Sequence, residues 1–153
     1  MDPSETEPTA DYLGQGAAHS GEQARWPGTH PVRRIVRAFL GIEATSFFLA
    51  AMVHAGFRIQ GYEHREAMIA ESVIGTVLLV GLTMTWIRSR TMFSIAAGVQ
   101  AFALLGAFIG TWTIVVGIGL RAVLDIVYHA VIVLVLMTGL VVAWRLRGTR
   151  ATG

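Results

Sequence analysis

The sequence has no cysteine, no lysine and no asparagine. Without cysteine there are no disulfides, thiolate metal sites, Fe–S clusters or cysteine nucleophiles, and the redox compartment leaves no mark on the chain. Without lysine there is neither Schiff-base chemistry nor a phosphate-loop lysine, so all twelve basic residues are arginine. Without asparagine there is no N-glycosylation acceptor. Charge is scarce as well: 14% of residues are charged and 54% are hydrophobic, against about a quarter charged in an ordinary soluble domain. That balance predicts an all-α integral membrane protein whose main partner is the lipid bilayer. The pI near 9.7 does not point to nucleic acid, because the arginines sit at the ends of apolar runs and not along one face.

The four prolines, Pro3, Pro8, Pro27 and Pro31, all fall in the first 31 residues, among Ser, Thr, Gly and acidic residues. Such a mixture buries too little apolar surface to offset the entropy of ordering, so residues 1–31 are expected to form a disordered cytoplasmic tail. The first apolar run starts too far from the N-terminus for a signal peptide. Residues 32–147 form the predicted transmembrane domain, and 148–153 a short cytoplasmic tail. Four apolar runs, at about 36–57, 67–87, 92–119 and 122–144, each reach the roughly 20 residues that cross a hydrocarbon core of about 30 Å. None holds a proline, and the third is long enough to tilt or to fray at Gly117 and Gly119. Short connections predict an up-down four-helix bundle.

Arginine placement orients that bundle. Arg25, Arg33, Arg34, Arg37, Arg88, Arg90, Arg145, Arg147 and Arg150 fall on one side, and Arg58, Arg65 and Arg121 on the other, where Glu63 and Glu66 partly offset them. By the positive-inside rule both termini are cytoplasmic, in a bacterial inner membrane. Trp86 and Trp144 fall at cytoplasmic ends, and Tyr62 and Trp112 near the external face, as interfacial anchors do. Gly106 and Gly110 form a G-x-x-x-G on the third run, with Gly75, Ser46 and Ala50 on its neighbours. These small residues predict close helix packing within the chain, in a homo-oligomer or in a larger membrane complex.

An ionisable side chain at membrane depth costs several kcal/mol unless it faces the interior with a partner. The runs contain Glu43, His54, Glu71, Gln100, Asp125 and His129, with His64 just outside. At about 1.5 Å of rise per residue, His54, Glu71, Asp125 and His129 reach one outer-leaflet layer from three helices. Asp125 and His129 are spaced i, i+4; His64 and Glu71, at i, i+7, share a face if the second helix begins early, with Glu63 or His64 folding over the layer. Three histidines and two carboxylates without a thiol are the donor inventory of a transition-metal site, so iron, copper, manganese or zinc on His54, His64, Glu71, Asp125 and His129 is one expectation. Haem b with His54 and His129 as axial ligands, and Arg58 or Arg121 near its propionates, is another. Against both stands a structural reading, in which the same residues are hydrogen-bonded pairs that hold the helices in register.

Glu43 and Gln100 lie together in the cytoplasmic half of the first and third runs, close enough in depth to hydrogen-bond. Glu43, Ser46, Ala50 and His54 share a helical face and define a possible proton relay through Glu43 and Gln100. The threonines and methionines are assigned to packing and local backbone bonds. Whether the chain is an enzyme is left open, and no motif transfers site residues from a known family. The functional expectations are therefore three. One is a metal- or haem-binding membrane protein with a redox, storage or sensing role. The others are a non-catalytic accessory or assembly subunit, and a proton-coupled carrier that titrates Glu43.

Overall fold

The computed structural model describes residues 29–57, 61, 63–118 and 122–148. Most of the expected tail, together with Arg58, Tyr62, Gly119 and Arg121, lies outside them. The described chain is four α-helices: α1 (Thr29–His54), α2 (Arg65–Ile87), α3 (Met92–Val116) and α4 (Val123–Gly148). No strand occurs among the described residues. Each helix holds a segment long and apolar enough to cross a membrane: Pro31–His54, Arg65–Ile87, Met92–Val116 and Val123–Arg147. The shortest has 23 residues, about 35 Å at 1.5 Å per residue.

Helix ends depart from the apolar runs where capping chemistry decides. α1 begins at Thr29, ahead of the run, because Pro31 is tolerated in a first turn whose N–H groups have no helical partner. It ends at His54, and Gly56 turns the chain at φ +77°. A Cβ there would also stand 2.9 Å from Glu63 Cγ, so glycine is required twice over. α3 stops at Val116 since Gly117 adopts the left-handed conformation, φ +84°, and the Ile118 amide donates back to the Thr113 carbonyl at 2.9 Å. α4 runs on to Gly148 with Arg145 and Arg147 in its last turn, where cations meet the negative end of the helix dipole.

The start of α1 lies against the end of α2. The Arg37 Nη2 donates to the Thr85 carbonyl at 2.8 Å and its Nε to Thr85 Oγ1 at 3.3 Å, while its guanidinium stacks 4.2 Å over the Trp86 ring. Between the helices sit Leu40, Phe47, Leu78, Met92 and Leu136, interspersed with small residues such as Ala44, Ala96, Ala103 and Ala143. Large apolar side chains including Ile42, Val80, Leu105 and Leu134 point outward and are exposed, whereas Glu43 and Gln100 are buried inside. A water-soluble protein has the reverse distribution, and small interior residues are the means of packing where no hydrophobic expulsion operates.

The G-x-x-x-G pair serves contacts within the chain. A Cβ on Gly106 would stand 2.5 Å from Ile74 Cδ1, and one on Gly110 2.8 Å from His129 Nε2. Thr45, Thr76, Thr83, Thr111 and Thr138 bond to carbonyls four residues back, and Thr85 and Thr113 to carbonyls three back. None of these hydroxyl donors is left over to line a pathway.

Candidate functional site

Two polar groups lie between the helices, at different depths. The first gathers where α1 ends and α2 and α4 begin. His54 is the last residue of α1, Glu71 lies in the second turn of α2, Asp125 in the first turn of α4, and His129 one turn further. The His54 Nδ1 lies 2.8 Å from Glu71 Oε2, and its Nε2 lies 3.8 Å from Asp125 Oδ1. The same Asp125 oxygen is 3.3 Å from His129 Nδ1, which also donates to the Asp125 carbonyl at 2.9 Å. Glu71, His54, Asp125 and His129 thus form a continuous chain of contacts across α1, α2 and α4. α3 contributes Gly110, whose missing side chain is the space that His129 Nε2 occupies.

These contacts set the imidazole tautomers. A backbone carbonyl only accepts, so the His129 Nδ1 carries a proton and its Nε2 is the nitrogen free to bind or to exchange one. His54 is likewise held through Nδ1, by the Glu71 carboxyl group, with Nε2 facing Asp125. Each ring is oriented through one nitrogen and offers the other, an arrangement shared by metal-ligating and proton-transferring histidines.

The chain of contacts forms the floor of a cleft of about 820 Å³ between α2 and α3. Its walls are apolar, with Val73, Ile74, Phe102, Leu105 and Ile109, and it opens between exposed side chains on the outer faces of both helices. Ala67, Ala70, Gly106 and Gly110 line it without filling it. A smaller cleft of about 310 Å³ between α1 and α4 touches the other side of His54 and Asp125, beside Ser46 and Tyr128.

His64 does not join the expected donor set. α2 starts at Arg65, so His64 is its N-cap and is not on the helical face of Glu71. Its Nδ1 accepts from the Ala67 amide at 3.3 Å, and its own amide donates to the His54 carbonyl at 3.0 Å. The ring sits at the cleft rim, 3.4 Å from Glu66 Oε2. Among the described residues, no three or more His, Asp or Glu side chains form a group that holds a metal ion. Asp125 Oδ1 touches both rings, at 3.8 Å from His54 Nε2 and 3.3 Å from His129 Nδ1.

The second group is deeper and closed. The Gln100 Nε2 donates to both carboxylate oxygens of Glu43, at 2.9 and 3.1 Å, and both residues are 0% exposed. α4 covers the pair with Gly139, on which a Cβ would collide with Gln100 Nε2 and stand 2.7 Å from Glu43 Oε1. The Gln100 Oε1 is buried without a partner. Ser46, on the face between Glu43 and His54, spends its hydroxyl proton on the Glu43 carbonyl at 2.9 Å.

Tyr128 is the residue that sequence reasoning passed over. Its hydroxyl is buried beside Ser46, and its ring meets Phe47 and His129 edge to face, with centroids 6.4 and 5.4 Å away. Its place next to His129, three residues beyond Asp125, was the available signal. Neither a family model, nor a curated protein, nor a solved structure matches this chain.

Proposed function

We propose that the chain crosses the bilayer as an up-down bundle with both termini in the cytoplasm, and that its outer-leaflet site serves a small amphipathic molecule entering sideways from the lipid. In this reading the α2–α3 cleft receives the apolar part of that molecule, and the Glu71–His54–Asp125–His129 chain exchanges protons beneath its polar end. The observation that carries the reading is the coincidence of the two features. Four titratable side chains, costly at membrane depth, form the floor of an apolar cleft of about 820 Å³. Pockets of this size with a few convergent polar groups are the usual form of small-molecule sites.

The test uses protein in lipid nanodiscs, stripped of bulk lipid and analysed by native mass spectrometry. Wild type should retain one small amphipathic species per chain. Ala70→Phe, which fills the cleft from an exposed lining position, and His54→Ala should both lose it. Equal retention in all three proteins, or none in any, refutes the reading.

A second reading follows from the tautomers: with each Nδ1 engaged, the His54 Nε2, the His129 Nε2 and Asp125 are donors for a transition-metal ion after a small movement of side chains. An optical spectrum and elemental analysis of tag-free, chelator-free protein decides this. A stoichiometric metal lost in His129→Ala supports an ion, a Soret band supports haem, and a colourless, metal-free protein removes both.

A further inference from the structure

We infer that the molecule admitted by the α2–α3 cleft is an amphipathic monovalent cation. The inference rests on the cleft reading above and adds the charge of the occupant. Three carboxylates line the cleft, Glu66 at the rim and Glu71 and Asp125 at the floor, and no arginine is among the described lining residues. Glu71 and Asp125 are 5% and 8% exposed, so their field acts in a medium that screens it little. An anionic head such as a phosphate or a fatty-acid carboxylate would be driven off by these groups. A positive centre seated between the walls is attracted to both.

The walls agree with that choice. Phe47 and Phe102 border the space, and aromatic faces hold cations at little cost in desolvation. Val73, Leu105 and Ile109 are aliphatic and exposed on the outer face of the cleft, so the occupant needs substantial apolar surface of its own. A small hydrated ion such as sodium does not fit this description, because the cleft offers few oxygen ligands in exchange for its water.

The test compares two lipophilic ions of matched shape and opposite sign, tetraphenylphosphonium and tetraphenylborate, in equilibrium dialysis against nanodiscs with and without the protein. Tetraphenylphosphonium should bind saturably above the empty-disc background, and tetraphenylborate should not. Asp125→Asn and Glu71→Gln, which keep the side-chain shape, should each weaken the cation by about tenfold or more, as loss of a buried charge partner does. Ala70→Phe, outside the polar chain, should abolish saturable binding while leaving helicity intact. Equal partitioning of the two ions, or preference for the borate, overturns the inference. If tetraphenylphosphonium fails while Ala70→Phe still strips a retained amphipath from wild type, the charge assignment falls and the cleft reading survives. If Ala70→Phe changes neither, both fall.

Discussion

Gly139→Ala places one methyl group where the structure has none to spare. Its Cβ would collide with Gln100 Nε2 and approach Glu43 Oε1 to 2.7 Å, so the Gln100 amide has to leave at least one of its two bonds to the carboxylate. Leaving a buried polar group without its partner costs about 1–3 kcal/mol, and Glu43 at 0% exposed finds no water to replace Gln100. Against this, alanine is favoured over glycine inside a helix by about 1 kcal/mol. The net expectation is a loss of up to about 2 kcal/mol, read by reversible unfolding in mixed micelles with helical circular dichroism. The decisive comparison is the same substitution in a Glu43→Ala/Gln100→Ala background. There the obstacle is gone, only the helix preference remains, and Gly139→Ala should stabilise by about 1 kcal/mol. A loss of equal size in both backgrounds would refute the reasoning, because the methyl would then be colliding with something other than the polar pair.

Two further outcomes follow from the outer group. Gly110→Ala brings a Cβ to 2.8 Å from His129 Nε2; the ring must turn, so nitrogen NMR of labelled histidine should show His129 altered and His54 nearly unchanged, and an unmoved His129 signal would contradict the assigned contact. Breaking the His54–Glu71 contact from one side by Glu71→Ala strands a buried imidazole, at a cost of about 3 kcal/mol. Glu71→Leu with His54→Leu, which replaces both partners by apolar groups, should recover most of that loss in the same unfolding assay, and no recovery would mean the contact carries the fold.

The four long apolar helices were legible because length and apolarity in a run are properties of sequence alone, and Gly117 marks one observed end, whereas Pro31, read as part of the tail, lies in the first turn of α1. Arg145 and Arg147 extend α4 past its apolar run, since a helix in contact with an interface gains from its terminal charges and not only from hydropathy. The contacts between Glu43 and Gln100, His54 and Glu71, and Asp125 and His129 were legible for a related reason: at a fixed rise per residue, depth limits which polar groups meet. His64 shows where this fails. A helix start at Arg65 makes His64 a cap, and caps depend on where the backbone hands over from turn to helix, which hydropathy does not resolve. The cleft was not legible at all. Ala67 and Ala70 line it with small side chains, whereas Gly106 and Gly110 are packed against Ile74 and His129, and from sequence alone small residues signal close packing as readily as they signal a gap.

The difference between the two polar layers bears on what each is for. Glu43 and Gln100 are sealed by α4 through Gly139, with no exposed surface; a closed polar contact of this kind specifies which faces of α1, α3 and α4 meet, since any rotation strands a carboxyl group in an apolar interior. With register fixed there, a second layer is not needed for the same task, and four titratable groups are more than a register device requires. Its position also differs. His54, Glu71, Asp125 and His129 all touch the larger cleft, and His54 and Asp125 touch the smaller one as well. Packing there is surrendered on both sides of the most expensive residues in the chain, although Ala67 or Ala70 replaced by leucine would fill part of the larger cleft and gain dispersion contacts. Stability left unclaimed beside a cluster of ionisable groups is the pattern expected where binding, and not folding, has set the sequence.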